Sequence, residues 1–266
     1  PRVAKQMPVI EKFIDHAEHQ QEELVREIDR LSDSYTFTKH ELETSRQLTE
    51  QLRSIQEQFD QDQKAMATQS AIESEVLARL QEDDKNLKQI ETQQGSLNDS
   101  LATMQEDEQK ARHALAKFSS ELRATKRRVE SLNLPGLPKK YLDSFYLVSD
   151  ELNKLIKAID QPRINMDDIT KQLIIVQSDL ESLQERTNDI HDSAELTERL
   201  LQYSNRLVEQ HPEIEKAQQK SQELYQKYQY DAALENIATA LEDAEPGSYK
   251  RLENSYYQTA KEHDQI

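Results

Sequence analysis

The sequence predicts an all-α protein made of elongated antiparallel helical bundles. Its 266 residues include only 3 Gly and 7 Pro, so few positions interrupt a helix. Apolar residues recur at helical spacing in a chain that is 35% hydrophobic and 32% charged. This composition favours narrow apolar faces packed against one another over a single thick core.

Net charge and composition argue against several classes of function. With 51 acidic and 34 basic residues the net charge is -17, which opposes general binding to nucleic acid or anionic lipid. There is no Cys for a disulfide or a thiolate zinc site, and Gly95, Gly136 and Gly247 are too far apart for a phosphate-binding loop. Nucleophile motifs are also missing. We expect no catalytic residue, no enzyme activity and no cofactor.

The first helix is predicted to begin at Pro8, because proline suits the first helical position. Polar Gln20 is placed in register on its buried face, with a stutter from Gln20 to Ile28. Residues 38–41 and 70–73 match the capping-box pattern, so either could start a helix. The apolar residues of the predicted face are Ile10, Phe13, Ala17, Leu24, Ile28, Leu31 and Tyr35.

The clearest periodicity runs over residues 97–132, where apolar residues alternate at spacings of four and three. Only Glu108 and Thr125 interrupt this seam, and Gly95-Ser96 just before it is predicted to be a turn. A second regular seam covers residues 169–190, with Thr187 in register. Both stretches therefore predict long helices.

Pro135, Gly136 and Pro138 lie within four residues and must end a helix. We expect them to form a hinge between two bundles, residues 1–133 and residues 134–266. The second bundle has a tyrosine-rich tail, with short helices predicted near residues 213–229, 231–243 and 248–262. Seven residues are expected to pack together there: Tyr225, Tyr228, Leu234, Ile237, Leu241, Leu252 and Tyr256.

An unusual run of amide, phenol and guanidinium groups occupies residues 202–206. On a continuing helix Gln202, Asn205, Arg206 and Glu209 share one face, with Tyr203 on the seam. Amide and guanidinium groups at fixed places suit hydrogen-bonded recognition. The alternative is an ordinary solvated helix face.

Two further groups of side chains are candidate sites. Arg123, Lys126, Arg127 and Arg128 form the densest basic cluster, which either complements a helix C-terminus or docks an acidic peptide. His16 and His19 lie about one helical turn apart but lack the spacing and third ligand of a zinc site. We expect no metal.

Two stretches, "NLPGLPKKYLDSF" and "LLQYSNRLVEQHPEI", resemble the septation ring formation regulator family, EzrA. The resemblance covers most of the chain and implies spectrin-like triple-helical bundles joined end to end. It also implies a membrane-tethered regulator on the cytoplasmic face of the division septum, whose N-terminal transmembrane helix this sequence lacks. Its expected partners are the tubulin-like protein FtsZ and other division proteins, with restraint of Z-ring assembly away from midcell.

The family's Gln-Asn-Arg patch, linked to midcell localisation, corresponds to Gln202, Asn205 and Arg206, with Tyr203 beside them. Ser204 stands where the family often has Gly, and Leu207 where it often has an aromatic residue. Two alternatives to the division regulator stay open at this point. One is a passive spectrin-like spacer, and the other is the coiled-coil arm of a larger nucleotide-driven assembly.

Overall fold

A computed structural model of the chain describes residues 2–37 and 39–264. The described residues form helices with no strand, which confirms the all-α prediction. In chain order the helices are α1 (Arg2–Leu31), α2 (Lys39–Ala67), α3 (Glu73–Glu130), α4 (Lys139–Ile159), α5 (Met166–Ser204), α6 (Glu213–Gln226), α7 (Tyr230–Ala244) and α8 (Ser248–Asp264).

The chain forms two compact units, and each of them is discontinuous in sequence. The first contains Pro1–Ala114 and Leu155–Lys171, and the second contains Leu115–Lys154 and Gln172–Ile266. The division falls inside α3, α4 and α5, so the predicted boundary near residue 134 lies within the second unit. The assignment of residues 1–133 and 134–266 to separate bundles stays a prediction.

The buried face of α1 differs from the predicted face over the middle of the helix. Phe13 is 43% exposed, whereas Ile14 is 1% and Gln21 is 4% exposed. The buried positions keep a regular alternation of four and three, so the predicted stutter at Gln20 is wrong. They are Ile10, Ile14, Ala17, Gln21, Leu24, Ile28 and Leu31.

Gln21 is buried because its amide bonds to both neighbouring helices of the first unit. Its Nε2 donates to the Ser45 carbonyl at 2.9 Å and to Thr49 Oγ1 at 3.1 Å on α2. Gln94 Nε2 on α3 donates to Gln21 Oε1 at 3.2 Å and to the Ala17 carbonyl at 2.9 Å. A satisfied polar layer of this kind fixes the register of helices whose remaining core is apolar.

The observed helix boundaries differ from the predicted ones at two further places. Helix α1 already begins at Arg2, so Pro8 lies inside it and does not open it. Helix α3 runs unbroken through Gly95, so the predicted turn there is wrong. The actual break between α2 and α3 lies at residues 68–72, and the helices start at Lys39 and Glu73, inside the two capping-box tetrads. Thr38, the first residue of one tetrad, lies outside the described residues.

The unbroken helix at Gly95 gives a direct test. A Cβ built at Gly95 meets no atom within 4 Å, and glycine inside a helix costs about 0.5–1 kcal/mol relative to alanine. Gly95→Ala is therefore expected to raise the free energy of unfolding by about that amount, measured by denaturant titration. Destabilisation would instead indicate the turn that the sequence predicts.

The connections at one end of the first unit are bonded together. The Thr36 backbone N–H donates to the Ile164 carbonyl at 2.8 Å, and the Ile164 N–H donates to the Ser34 carbonyl at 2.9 Å. Tyr35 Oη donates to Glu108 Oε1 at 2.9 Å. Glu108 interrupts the apolar seam of α3 because its carboxylate receives this phenol, which joins the α1–α2 connection to α3.

In the second unit α4 and α5 pack antiparallel. Tyr141 and Thr187 are buried and share a hydrogen bond of 2.8 Å, while Arg186 Nη1 donates to Ser144 Oγ at 2.6 Å. The prediction that Thr187 continues the seam of residues 169–190 is confirmed by its burial. Its hydroxyl also donates to the Leu183 carbonyl at 2.7 Å, so the polar atom is satisfied within the core.

The contribution of the Tyr141–Thr187 hydrogen bond to stability should be measurable. Tyr141→Phe keeps the ring but leaves Thr187 without its phenol partner. A net hydrogen bond of this type contributes about 1 kcal/mol, so we expect a loss of about 0.5–1.5 kcal/mol in the free energy of unfolding. Thermal or urea unfolding checks it, and an unchanged midpoint would contradict the bond.

The three short C-terminal helices begin and end within three residues of the predicted bounds. Their core with the end of α5 contains Leu196, Leu200, Ile214, Ile237, Ala238, Leu241 and Tyr256. Two residues of the predicted cluster lie outside this core: Tyr225, whose ring contacts that of Tyr230, and Tyr228. Tyr228 is 41% exposed and adopts a positive φ of 66°, because it lies in the turn between α6 and α7.

Candidate interaction surfaces

The run of residues 202–206 lies where α5 ends. The helix stops at Ser204, and the backbone N–H groups of Asn205 and Arg206 donate three residues back, to the carbonyls of Gln202 and Tyr203, at 3.3 and 3.2 Å. The prediction that a helix continues through Glu209 is therefore wrong. Ser204 is fully buried, and its hydroxyl donates to the Leu201 carbonyl at 2.6 Å, so a small side chain is needed where α6 crosses.

Helix α6 fixes the position of Asn205. Gln218 Nε2 donates to Asn205 Oδ1 at 2.9 Å and to Ser204 Oγ at 2.6 Å. The Asn205 side chain is exposed yet held by this bond, so its amide keeps one orientation. Gln218 lies 13 residues downstream, and no local sequence pattern indicated its part in the patch.

Tyr203 is anchored from the other side by residues that follow α7. Its hydroxyl donates to both carboxylate oxygens of Glu245, at 2.9 and 3.1 Å, and Arg251 pairs with the same carboxylate at 2.9 Å. The bond to Glu245, with a smaller contribution from burial, raises the pKa of Tyr203. The guanidinium of Arg206 lies 5.4 Å from the centre of the Tyr203 ring, a cation–π arrangement.

The structure thus brings Gln202, Tyr203, Asn205 and Arg206 together at the turn after α5, which we call the α5–α6 patch. Tyr203 and Asn205 are held by hydrogen bonds, while the side chains of Gln202 and Arg206 are exposed. Amide and guanidinium donors at such a turn suit recognition of carboxylate or carbonyl groups.

The basic cluster lies in the last turns of α3. Arg123, Lys126, Arg127 and Arg128 are all exposed. Lys126 pairs with Glu130 at 4.0 Å, and Arg128 donates to the Asn188 amide oxygen on α5. Cations here complement the helix C-terminus, and their docking of an acidic peptide stays a prediction.

The Pro-Gly-Leu-Pro segment is bonded to the C-terminal helices of the second unit. Tyr230 Oη donates to the Gly136 carbonyl at 2.6 Å. A Cβ at Gly136 would lie 2.5 Å from Tyr228 Cζ, so only glycine fits against this ring as placed. Pro135 and Pro138 flank this contact. The contact restrains the segment, and a hinge role for it stays a prediction.

The absence of a metal site at His16 and His19 stays a prediction. His19 Nε2 lies 3.1 Å from Glu23 Oε1, one turn further along α1. Within residues 2–37 and 40–263, no three His, Asp or Glu side chains are grouped so that they could hold a metal ion.

Two carboxyl pairs at helix contacts were missed by the sequence analysis. In the first unit Asp62 pairs with Arg79 at 2.8 Å, and buried Asp83 has an oxygen with no hydrogen-bond partner. Burial, with repulsion from Asp62, raises the pKa of Asp83 to about 6. The sequence does contain a signal for their burial, because Asp62 and Asp83 continue the apolar spacing of their own helices.

The second pair joins α4 to α5. Glu151 Oε2 is buried without a donor among the described residues, and Asp179 lies beside it. Burial, followed by the effect of the neighbouring Asp179 carboxyl, raises the pKa of Glu151 to about 7.

These features define an all-α helical-bundle protein that carries fixed amide, phenol and guanidinium groups on its surface. Every helix of the described residues is too short or too polar to cross a bilayer. The family model for the septation ring formation regulator EzrA matches residues 1–256, and the chain belongs to this family.

Individual relatives agree with the family match. The chain is 44% identical over 256 residues to the septation ring formation regulator EzrA of Lactiplantibacillus plantarum, covering 96% of the chain and 45% of the relative. It is 35% identical to that of Enterococcus faecalis, over 96% of the chain and 44% of the relative. The chain therefore spans less than half the length of these relatives. No solved structure shows significant similarity to it.

Proposed function

We propose that this chain is part of a non-enzymatic regulator of bacterial cell division that binds FtsZ and other division proteins. In the full-length protein it would lie on the cytoplasmic face of the membrane at the septum, held by an N-terminal anchor. Family membership supports the role in division, because its relatives are septation ring formation regulators by name.

The α5–α6 patch is the observation that carries the proposal at the level of residues. Its anchored members, Tyr203 and Asn205, are already held in place, so they lose little side-chain entropy when the patch meets a partner. The mechanism requires no chemistry: the chain contacts FtsZ subunits, and this contact restrains their assembly into filaments.

Sedimentation of FtsZ polymer with GTP tests the binding. We expect the chain to co-pellet with polymer or to lower the amount of FtsZ pelleted. Gln202→Ala with Arg206→Ala should weaken either effect, because these two side chains are exposed and their removal leaves the anchors in place. Gln51→Ala with Arg53→Ala, an exposed pair on α2, is the matched control.

Septal localisation of the full-length protein gives the second readout. The Gln202→Ala, Asn205→Ala and Arg206→Ala triple variant should lose its midcell position while its thermal unfolding stays near that of the parent. Unchanged localisation together with unchanged FtsZ sedimentation would contradict the proposal and favour a passive spacer.

A further inference from the structure

A groove in the second unit lies between α5, α7 and the start of α8. Its volume is about 380 Å³, within the range of about 300–1,000 Å³ of ligand sites. Most of its surface is apolar and comes from the partly buried side chains of Leu234 and Tyr249, together with Ala238. None of its lining residues belongs to the α5–α6 patch.

The charged residues of this groove all have the same sign. Asp231, Glu235 and Glu242 line it along α7, and among the described residues around it none is Lys or Arg. The remaining charged residue of α7, Asp243, is also acidic, so this helix carries no base. By contrast, the apolar groove between α1 and α2 is lined by two arginines as well as three glutamates.

The charges of these acids are not compensated by the groups that bond to them. Ser193 Oγ donates to Asp231 Oδ1 at 2.6 Å, and the Gly247 backbone N–H donates to Glu242 Oε1 at 2.9 Å. A neutral donor satisfies a carboxylate oxygen without cancelling its charge. A cation of a partner can therefore still pair with each carboxylate.

The start of α8 adds another acid to the border of the groove. Glu253 lies beside Tyr249, where burial and then this carboxylate raise the pKa of the phenol to about 12. Arg251 pairs with Glu245 at 2.9 Å, and Lys250 does not line the groove although it follows Tyr249 in sequence. The apolar surface therefore has acids beside it on both α7 and α8.

The acids are spread along the groove and do not converge on one point. From Asp231 to Glu242 the helix rises roughly 16 Å, at about 1.5 Å per residue. In the part of the chain whose side chains the structure describes, no three carboxylates are grouped to hold a metal ion. A row of acids at helical spacing suits a partner helix, whose own residues at i, i+4 and i+7 face one side.

We propose that this groove binds a basic amphipathic helix of a partner protein. Lys or Arg residues of that helix pair with Asp231, Glu235 and Glu242, and its apolar side chains pack on the apolar surface between them. This surface is distinct from the α5–α6 patch, so the proposal does not depend on the proposed FtsZ contact.

A second copy of this chain fits the groove less well than a separate basic helix. The densest basic cluster of the chain, residues 123–128, lies on α3, whose apolar residues Phe118 and Val129 are already buried. The cluster therefore has no free apolar face to fill the groove. Two chains of net charge -17 also repel one another.

The test uses a fluorescent helical peptide with Leu along one face and Lys on either side of that face. Its control is a scrambled peptide of the same composition and charge, in which no face of the helix is apolar. Anisotropy titration of the chain should show binding of the amphipathic peptide that weakens with added salt. The scrambled peptide should bind at least about tenfold more weakly, because it retains only the general attraction to an acidic protein.

Variants that remove charge but keep shape locate the site. Asp231→Asn, Glu235→Gln and Glu242→Gln together should weaken binding of the amphipathic peptide at least about tenfold. The new amides retain the oxygens that accept hydrogen bonds from Ser193 and Gly247, so the fold of the second unit should be preserved.

A control triple removes the same charge from exposed positions outside the groove. It consists of Glu11→Gln, Asp107→Asn and Glu185→Gln. This triple should change the affinity for the amphipathic peptide less than about threefold, because it alters only the general attraction. Equal loss of affinity in the two triples would overturn the proposal.

A photo-crosslinking form of the amphipathic peptide keeps the test independent of variant folding. On the unmodified chain it should attach to residues of α7 around Leu234 and Thr239, which line the groove. Attachment elsewhere, no binding, or equal binding of the scrambled peptide would overturn the proposal. Self-association of the chain that the groove triple abolishes, without peptide binding, would also overturn it in favour of a second copy.

Discussion

Replacing Phe59 by Ala is expected to lower the free energy of unfolding by about 3–5 kcal/mol. Phe59 is 1% exposed in the apolar cluster formed by α1, α2 and the first part of α3. Its removal loses the transfer free energy of an aromatic ring and leaves a cavity among large neighbours such as Ile10, Leu52 and Leu80. Urea unfolding followed by circular dichroism measures the change.

Phe13→Ala is the matched control, because it removes the same side chain from a position that is 43% exposed. Its expected cost is below about 1 kcal/mol, since most of the ring already contacts water and little cavity forms. Similar losses for Phe59→Ala and Phe13→Ala would contradict the observed face of α1. Similar losses would instead support the face predicted from the sequence, which places Phe13 in the core.

Asp83→Asn is expected to stabilise the protein at neutral pH by about 2–3 kcal/mol. The folded-state pKa of Asp83 is raised from 3.8 to about 6, so the buried carboxylate is ionised above pH 6 at a cost in stability. The stabilising protonated form is fully present below about pH 4, and this contribution is lost as the pH rises through about 6. Asn mimics the neutral form at every pH.

The difference between wild type and Asp83→Asn should therefore be near zero at pH 4 and reach its maximum by pH 7. Unfolding titrations across this range measure it. Asp84→Asn is the control, because Asp84 forms a surface pair with Lys88 at 3.2 Å and should matter by only about 0.5 kcal/mol. A pH-independent difference at Asp83 would contradict the raised pKa.

Local patterns were sufficient to predict most of the helices. The seam over residues 169–190 and the three short C-terminal helices follow from spacing and punctuation alone, and the structure confirms them. The error on α1 has a physical origin. Gln20 and Gln21 are equivalent by hydrophobicity, and the choice between them depends on Ser45, Thr49 and Gln94 in other helices.

The α5–α6 patch was predictable only in its composition. The sequence placed Gln202, Tyr203, Asn205 and Arg206 together, but on a straight helix instead of a turn. The bonds that hold the patch come from Gln218 and Glu245, which are 13 and 42 residues away from their partners.

The buried carboxyl pairs were likewise predictable only in part. Asp83 lies at an apolar register position of α3, so its spacing alone could have marked it as buried. Its raised pKa depends on Asp62 and on burial by other helices, neither of which the pattern around Asp83 contains. Whether a residue is buried can thus be inferred from the spacing around it. Its pKa depends on residues that only the folded structure brings near it.

The central claim is that the helices fold back against one another within a single polypeptide and so display fixed surface groups. The chain has no native cysteine, so Glu22→Cys with Arg53→Cys allows spin labelling of exposed sites on α1 and α2 that line one groove. Packed helices lie about 8–10 Å apart, so a label distance below about 25 Å is predicted, unchanged on dilution with unlabelled protein. A distance near 45 Å, as along one continuous helix, or a short distance lost on dilution would contradict the account.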